Sequence, residues 1–391
     1  MRTVYIIGSK GIPAKYGGFE TFVEKLTEYQ KDKSIKYYVA CTRENSEQSD
    51  ITEDFFEYNG ATCFSIDVPN IGPAKAIAYD IIALRKAIKM AKEKKDENPI
   101  FYILACRIGP FIQHYKKQIK AIGGQLFVNP DGHEWLREKW SYPVRRYWKL
   151  SERLMVKHAD LLVCDSKNIE KYIQEDYQEY SPKTTYIAYG TELSASKLSG
   201  SDQVVRDWFA SKGVTEDNYY LVVGRFVPEN NYETMIREFM KSNSRRDFVL
   251  VTNVEQNAFY EKLLKETGFD KDERIKFVGT VYDQELLKYI RENTFAYFHG
   301  HEVGGTNPSL LEALSSTKLN LLLNVGFNRE VGEEGALYWD KDNLHRVIES
   351  CEQLSRESID EMDILSTKQV KERFSWEFIV DEYEKTFEGV I

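Results

Sequence analysis

Residues 301–314 read His-Glu-Val-Gly-Gly-Thr-Asn-Pro-Ser-Leu-Leu-Glu-Ala-Leu and follow an apolar run, so they predict a strand, a glycine turn and a helix. Glycines before a helix let the backbone approach a ligand closely, and the free N–H groups of the first helical turn favour an anion such as phosphate. Glu312 follows on the same helix, where its carboxylate can accept hydrogen bonds from sugar hydroxyls. The stretch therefore predicts a nucleotide-sugar site at a strand–helix turn.

Outward from this stretch, apolar runs of strand length alternate with helical patterns along the whole chain. Six runs lie in the first half and five in the second, at 3–9, 37–41, 101–105, 126–128, 161–164, 185–187, 219–223, 247–252, 275–278, 295–299 and 320–323. The alternation predicts parallel βαβ units and hence two doubly wound α/β sheets. Since ligands of such sheets bind outside the carboxyl ends of the strands, we expect two facing domains that enclose a cleft.

The domain boundary is expected near residues 190–215. A chain of 391 residues exceeds what one core usually fills, and residues 193–202 are small and polar, as linkers are. We predict domains at 1–195 and 196–374, then a C-terminal helix at 375–391 that could pack back on the first domain. Ser375 is a suitable N-cap for this helix, and its apolar stripe consists of Phe378, Ile379, Tyr383 and Phe387.

Composition predicts a cytoplasmic protein. Apolar runs stay well short of the roughly 18 residues that a membrane helix needs, and the chain enters a strand at once without the features of a signal peptide. The five cysteines are scattered and form no Cys-x-x-Cys pair, which indicates reduced thiols.

Charge is divided unevenly, since a net charge of −9 separates into +4 over residues 1–190 and −13 over residues 191–391. Residues 114–157 hold ten basic and four acidic side chains interleaved with aromatic residues. This pattern is typical of contact with an anionic membrane surface. A solvated helix face with aromatic residues in the core is the alternative. The acidic second half makes a nucleic-acid partner the weaker interpretation.

The first strand is followed by a glycine-rich loop, residues 8–20, that opens a helix. It is not a G-x-G-x-x-G sequence, so dinucleotide binding is disfavoured. Gly17 and Gly18 could let the backbone approach a diphosphate or an acceptor. A tight turn with a helix start is the alternative.

Two further strand ends carry candidate side chains. After 126–128, Asp131 and His133 could bind sugar hydroxyls or act as a general base, while an Asp-Gly turn with a surface histidine is the alternative. After 219–223, the Arg225 guanidinium could donate two hydrogen bonds to phosphate oxygens and stabilise a departing nucleoside diphosphate. A surface salt bridge is the alternative for Arg225.

Metal binding is disfavoured. His299, His301 and Glu302 include alternate strand positions, which are usually only neighbours on one face. The acidic pairs within 270–272 and 340–342 lie in polar loops and are better explained as turns. We predict neither a metal nor a cofactor.

Several motifs together resemble the retaining glycosyltransferases of family 4, over nearly the full length of the chain. The resemblance rests on residues 17–20, 163–166, 187–192, 223–225, 277–279 and 308–314. It implies the GT-B fold, in which two Rossmann-like domains face one another.

A closer resemblance links the chain to streptococcal-type rhamnosyltransferases, through residues 11–13, 16–20, 131–135, 228–231 and 304–309. It implies transfer of L-rhamnose from dTDP-L-rhamnose to a lipid-diphosphate-linked sugar, GlcNAc or glucose, during synthesis of cell-wall or capsular polysaccharide. The enzyme would be peripheral on the inner face of the cell membrane.

Two departures from the family pattern affect the expected site. The pair of glutamates separated by seven residues would need an acid at position 304, where this chain has Gly304, and Glu302 lies two residues earlier. Asn230 stands where the family has a lysine. The charge of the diphosphate must then rest mainly on Arg225 and on backbone N–H groups.

The resemblance implies Gly279 and Val281 near the base, Glu312 on the ribose, and Arg225 with the amides of residues 305–307 on the diphosphate. We predict Asp131, His133, Arg225 and Glu302 as catalytic residues. The predicted donor-binding residues are Gly17, Gly18, Arg225, Asn230, Gly279, Val281, Gly304, Gly305, Thr306, Asn307 and Glu312.

Retention without an evident protein nucleophile indicates front-face attack, in which the departing phosphate oxygen takes the acceptor's proton. Two alternatives remain open. One is a glucosyl- or galactosyltransferase that uses a UDP-sugar on the same fold, and the other is a non-catalytic sugar-nucleotide sensor or scaffold.

Overall fold

The computed structural model describes residues 2–15, 17–136, 140–254, 257–303 and 306–389. The chain divides into two compact units. Unit 1 comprises residues 1–190 and 376–391, and unit 2 comprises residues 191–375.

Unit 1 is built on an eight-stranded sheet with helices between its strands. The strands are β1 (Arg2–Ile7), β2 (Ile35–Thr42), β3 (Phe55–Tyr58), β4 (Ala61–Ile66), β5 (Ile100–Leu104), β6 (Gln125–Asn129), β7 (Leu161–Cys164) and β8 (Thr184–Tyr186). Their order is β3-β4-β2-β1-β5-β6-β7-β8, and every pair is parallel except β3–β4. The helices are α1 (Gly18–Glu28), α2 (Arg43–Glu47), α3 (Lys75–Lys94), α4 (Gly109–Ala121), α5 (Tyr142–His158) and α6 (Lys167–Asp176).

Unit 2 is built on a six-stranded parallel sheet. The strands are β9 (Tyr219–Val223), β10 (Asp247–Val251), β11 (Ile275–Phe277), β12 (Ala296–His299), β13 (Asn320–Leu323) and β14 (Leu337–Trp339), in the order β11-β10-β9-β12-β13-β14. The helices are α7 (Gln203–Lys212), α8 (Tyr232–Lys241), α9 (Ala258–Thr267), α10 (Gln284–Glu292), α11 (Pro308–Ser316), α12 (Gly326–Gly332), α13 (Leu344–Cys351) and α14 (Arg356–Arg373).

The last helix, α15 (Trp376–Glu388), packs on unit 1. The ring of Tyr383 lies 4.9 Å from that of Phe22, and the hydroxyl of Tyr383 lies 3.1 Å from that of Tyr102. The carboxylate of Glu384 accepts hydrogen bonds from the backbone N–H groups of residues 31 and 32, at 2.8 and 3.0 Å. Packing on the first domain is thus confirmed, but Phe378 is 40% exposed and does not belong to the buried stripe.

The predicted α/β fold with two doubly wound, mainly parallel sheets is confirmed. Each of the eleven predicted runs overlaps a strand, because central parallel strands are covered on both faces and read as continuous apolar runs. Strands β3, β4 and β14 were missed. The described residues include no helix that is both long and apolar enough to cross a membrane.

Candidate functional site

The carboxyl ends of β9 and β12 lie side by side in unit 2, because these strands pair in the sheet. The loops that follow them are joined by hydrogen bonds. The Asn231 side chain donates to the Gly300 carbonyl at 2.8 Å, and the Glu302 N–H donates to the Glu229 carbonyl at 3.1 Å. Residues 224–231 and 300–303 therefore form one continuous surface at the edge of the sheet.

Arg225 projects from this surface. Its side chain is exposed and, among the described residues, its guanidinium has neither a hydrogen bond nor an ion pair. The backbone is held from below, since the buried Asn230 amide donates to the Arg225 carbonyl at 2.8 Å. Asn230 thus supports the loop that presents Arg225, and the guanidinium is available for an anionic ligand.

The first turn of α11 is fixed by its own cap. The Asn307 carboxamide oxygen accepts the N–H of Ser309 at 2.9 Å, and Pro308 occupies the first turn, where a missing N–H costs nothing. The Ser309 hydroxyl lies 3.3 Å from the Val223 carbonyl at the end of β9, which brings this turn to the edge that carries Arg225. Thr306 is buried, and the predicted Gly304 and Gly305 lie outside the described residues.

Glu312 lies on α11 with 42% of its side chain exposed. One of its oxygens, Oε2, is 2.6 Å from a terminal guanidinium nitrogen of Arg291, a buried residue on α10. The carboxylate is therefore held in one orientation at the surface. Sequence reasoning found Glu312 but missed Arg291.

Glu302 is bound by a second basic residue that sequence reasoning missed. The Lys341 ammonium donates to both of its carboxylate oxygens at 2.7 Å, and the Asn231 amide donates to one of them at 3.2 Å. Burial raises the pKa of the Glu302 carboxyl, but these hydrogen bonds outweigh it and hold the pKa below its usual value. Glu302 is thus an ionised acceptor rather than a proton donor near neutral pH.

In the loop after β11, a ligand can reach the backbone of Gly279 but not the side chain of Val281. Gly279 has a φ of +82°, and a Cβ built there would meet no atom within 4 Å. Val281 is only 8% exposed and packs in an apolar cluster with Phe209 and Leu286. The predicted contact of residues 279–281 with a base can therefore involve the open backbone at Gly279, while the Val281 side chain belongs to the core.

In unit 1, the two predicted glycines of the first loop differ in their surroundings. Gly17 has a φ of +134°, a backbone conformation that other residues rarely adopt, so the local backbone favours glycine here. A Cβ would also lie 1.9 Å from a Glu20 carboxylate oxygen, at the end of that side chain. The other Glu20 oxygen accepts the Lys10 N–H at 2.6 Å. A Cβ on Gly18 would meet nothing within 4 Å, so Gly18 faces open space.

Asp131 and His133 lie in the loop after β6, and both have left-handed backbone, with φ of +56° and +47°. Such conformations are uncommon outside glycine and are often kept at functional sites. The His133 ring lies 4.2 Å from the ring of Tyr172. Burial, aided by the positive charge of Lys149, lowers the pKa of His133. His133 is therefore neutral at pH 7 and can both donate and accept a hydrogen bond.

A cation enclosed by aromatic rings supports this loop from α5. The Lys149 ammonium lies 4.5 Å from the Trp135 ring centre, 5.0 Å from that of Tyr172 and 4.9 Å from that of Tyr177. The Tyr172 hydroxyl donates to the buried Glu152 carboxylate at 2.5 Å. Part of the basic and aromatic region predicted as a membrane surface is thus engaged in contacts within unit 1.

Arg107 joins the neighbouring strand ends of unit 1 and was also missed. One terminal nitrogen donates to the carbonyls of Gly8 and Leu104, at 2.8 and 3.2 Å, and to the buried Asp80 carboxylate at 3.2 Å. Burial, which outweighs the contacts with Arg107, raises the pKa of Asp80 to about 6. Arg107, Arg291 and Lys341 are single basic residues whose partners lie far away in the sequence, so no local pattern reveals them.

The described residues contain no group of three or more His, Cys, Asp and Glu side chains that could hold a metal ion. The rings of His299 and His301 stack at 4.5 Å. His299 is buried, and burial, followed by the nearby His301, lowers its pKa well below the usual value.

Two family models match separate parts of the chain. Residues 1–192 match a domain of unknown function, DUF1972, and residues 204–364 match the glycosyl transferases group 1. A search of curated proteins finds no match. The second match includes Arg225, Glu302 and Glu312.

Solved structures match the chain over its full length. HepE from Anabaena in complex with UDP is 14% identical with a TM-score of 0.71, and 100% of each chain is covered. Sucrose-phosphate synthase from Thermosynechococcus elongatus is 17% identical with a TM-score of 0.75, covering 100% of this chain and 99% of the other. A glycosyltransferase from Rickettsia africae is 12% identical with a TM-score of 0.73, covering 100% and 98%.

These likenesses define the class of protein by its fold. The chain has the GT-B fold, with two Rossmann-like units. Its second unit carries the match to group 1 glycosyltransferases.

Proposed function

We propose that the protein is a glycosyltransferase whose nucleotide-sugar donor binds at the carboxyl edge of the unit 2 sheet. The observation that carries this proposal is the Arg225 guanidinium, which is exposed and has no partner in the described part of the chain. It lies at the end of the sheet to which Ser309 ties the first turn of α11, and Glu312 is on the same helix. HepE, which shares the fold, has been solved with UDP and with UDP-glucose. The group 1 match over residues 204–364 supports the same activity.

The chemistry follows from the charges at this edge. Arg225 and the backbone N–H groups at the start of α11 stabilise the negative charge that develops on the departing diphosphate. Glu312 accepts a hydrogen bond from the ribose. Ionised Glu302 accepts one from a hydroxyl of the donor sugar.

Unit 1 supplies the acceptor side in this proposal. Neutral His133 and Asp131 orient the acceptor hydroxyl, and the open space at Gly18 admits the acceptor. The acceptor oxygen attacks the anomeric carbon on the face from which the diphosphate leaves. The C–O bond to phosphate breaks, the new C–O bond forms, and the phosphate oxygen takes the proton, so configuration is retained.

For the donor we propose dTDP-L-rhamnose, and for the acceptor a lipid-diphosphate-linked GlcNAc or glucose. The motif resemblance at residues 131–135 and 228–231 supports this choice. The test incubates synthetic lipid-diphosphate sugars with dTDP-rhamnose, UDP-glucose or UDP-galactose, with and without EDTA, and follows products by mass spectrometry. We expect a rhamnosylated product that EDTA does not reduce. Nucleotide binding without transfer from any donor would contradict the proposal and favour the sensor or scaffold.

A lipid-linked acceptor requires approach to a membrane, and one face of α5 is suited to it. Tyr142 is 71% exposed and Leu150 is 49% exposed. With the exposed Arg146, Arg153 and Lys157 they recur at helical spacing along one side of the helix. Such a face can insert apolar groups between anionic headgroups and bind them with its cations.

Vesicle co-sedimentation tests this surface. We expect the protein to sediment with vesicles containing phosphatidylglycerol but not with phosphatidylcholine alone. The double variant Tyr142→Ser with Leu150→Ser should lose about tenfold in partitioning, because two apolar side chains no longer insert. The control Ile364→Ser removes an exposed apolar residue on α14 and should leave binding unchanged. Equal binding by all three proteins would exclude this face.

A UDP-hexose donor is the second candidate, and the HepE complex with UDP-glucose is the observation that favours it. The same incubation separates the two, because a glucosylated or galactosylated product would replace the rhamnosylated one.

A further inference from the structure

Arg291 is a buried arginine that connects α10 with both ends of α11. Its side chain bonds Glu312 at 2.6 Å and lies 3.4 Å from the Ser309 hydroxyl in the first turn of α11. Its carbonyl accepts the hydroxyl of Thr317, the residue that ends α11, at 3.1 Å. Arg291 therefore fixes the helix as well as the carboxylate that the helix presents.

The Arg291 guanidinium is buried although its N–H groups are not all hydrogen-bonded. Arg291 is 3% exposed, yet its Nε has no partner among the described residues. An unsatisfied buried donor is costly. Within the described ranges, the shortest contact of the Arg291 guanidinium is with Glu312.

The two carboxylate oxygens of Glu312 differ in their surroundings because of this ion pair. Oε2 is bound by Arg291, whereas Oε1 has no partner within the described ranges. A carboxylate without a protein partner can accept from two vicinal hydroxyls through its two oxygens. Because Arg291 already engages Oε2, Oε1 is the oxygen whose full acceptor capacity remains for a ligand.

We infer that Arg291 is a positioning residue that leaves Oε1 as the main Glu312 acceptor for a ligand, so the site binds 2′-deoxyribonucleoside diphosphates as well as it binds ribonucleoside diphosphates. The inference rests on the proposed function, because it assumes that Glu312 meets the ribose. It adds the chemical class of nucleotide that the site accepts.

The experiment measures binding of a matched ligand pair by calorimetry. Thymidine diphosphate and 5-methyluridine diphosphate differ only in the 2′-hydroxyl, and the wild-type protein should bind them with Kd values within about threefold of each other. Arg291→Met should weaken both by about tenfold, because Glu312 loses its orientation. It should also shift the ratio of the two Kd values about fivefold toward the ribonucleotide, since Oε2 is released.

A double-mutant cycle separates positioning from general stability. In a Glu312→Ala background, Arg291→Met should have no further effect on either Kd. Arg291→Lys, which keeps the charge, should show a smaller loss and serves if the methionine variant unfolds. The control Arg274→Met removes a part-buried arginine of the same unit that bonds Asp272 at 2.6 Å, and it should leave both Kd values unchanged.

The outcomes distinguish the two proposals. If the wild-type protein binds neither nucleotide, the proposed function fails and this inference fails with it. If it binds both, but prefers the ribonucleotide more than tenfold or shows additive losses in the cycle, only the inference is overturned.

Discussion

The first loop of unit 1 and the first loop of unit 2 follow equivalent strands, β1 and β9, but their glycines serve different purposes. A Cβ on Gly8, whose φ is +108°, would lie 2.4 Å from the Leu104 carbonyl oxygen. A Cβ on Gly224 would meet its nearest atom at 3.4 Å, an ordinary contact. In the first loop, Gly8 leaves room for strand β5 and Gly11 for Cys41 of β2, whereas the second loop presents an exposed arginine beside a glycine that has space around it.

The difference shows that glycine content after a strand does not by itself identify a ligand site. In unit 1, only Gly18 among the predicted glycines faces open space. In unit 2, exposed charged side chains are held by partners from other elements, as Glu312 is by Arg291 and Glu302 by Lys341. Polar groups that are fixed yet exposed are the better sign of a site.

The largest effect is expected from Arg225→Ala. Transfer should fall at least about 100-fold, because the departing diphosphate loses its main cation. The thermal midpoint should hardly change, since the side chain is exposed and unpaired among the described residues. Product formation and thermal unfolding measure the two effects. Arg346→Ala, at another exposed arginine of unit 2, is the control and should retain full activity.

The two glycines of unit 1 test the comparison directly. Gly8→Ala should lower the free energy of unfolding by about 3 kcal/mol, because positive φ and a backbone clash both oppose a Cβ. Gly18→Ala should leave the free energy of unfolding equal or slightly higher, since alanine favours the first turn of α1. Transfer should decrease, because the proposed acceptor passes Gly18. Denaturant unfolding measures both. Equal destabilisation by the two variants would remove the distinction.

The smallest effect concerns Glu302. Because its folded pKa is lowered, its contribution to stability is present above the unfolded pKa of about 4.3 and is lost as the pH falls through the folded value. Lys341→Met should cost about 0.5 kcal/mol at pH 7, a value limited by solvent screening of this part-exposed pair. The loss should disappear in acid. Lys318→Met, at an exposed lysine, should show no such pH dependence.

Sequence patterns predicted the fold because buried parallel strands such as β5 and β12 are continuous apolar runs. They missed β3, whose residues are alternately exposed, although the Asn59-Gly60 turn before β4 is a hairpin signal. β14 has three residues and was also missed, although β8 and β11, which are equally short, were predicted.

The candidate site was predicted only in part. Arg225 and Glu312 follow strand ends and helix starts, where local sequence is informative. Arg291 and Lys341 were not found, because their contacts with Glu312 and Glu302 exist only after folding. Helix α10 packs beside α11, and the loop after β14 reaches Glu302 across the intervening strand β13. The structure also shows that the Asn307 carboxamide caps α11.

The most direct test of the nucleotide site is a crystal structure of the protein with thymidine diphosphate. Our account predicts the diphosphate within hydrogen-bond distance of the Arg225 guanidinium and the first turn of α11, with a ribose hydroxyl on Glu312 Oε1. Nucleotide bound with its diphosphate away from residues 225 and 305–312 would contradict the account.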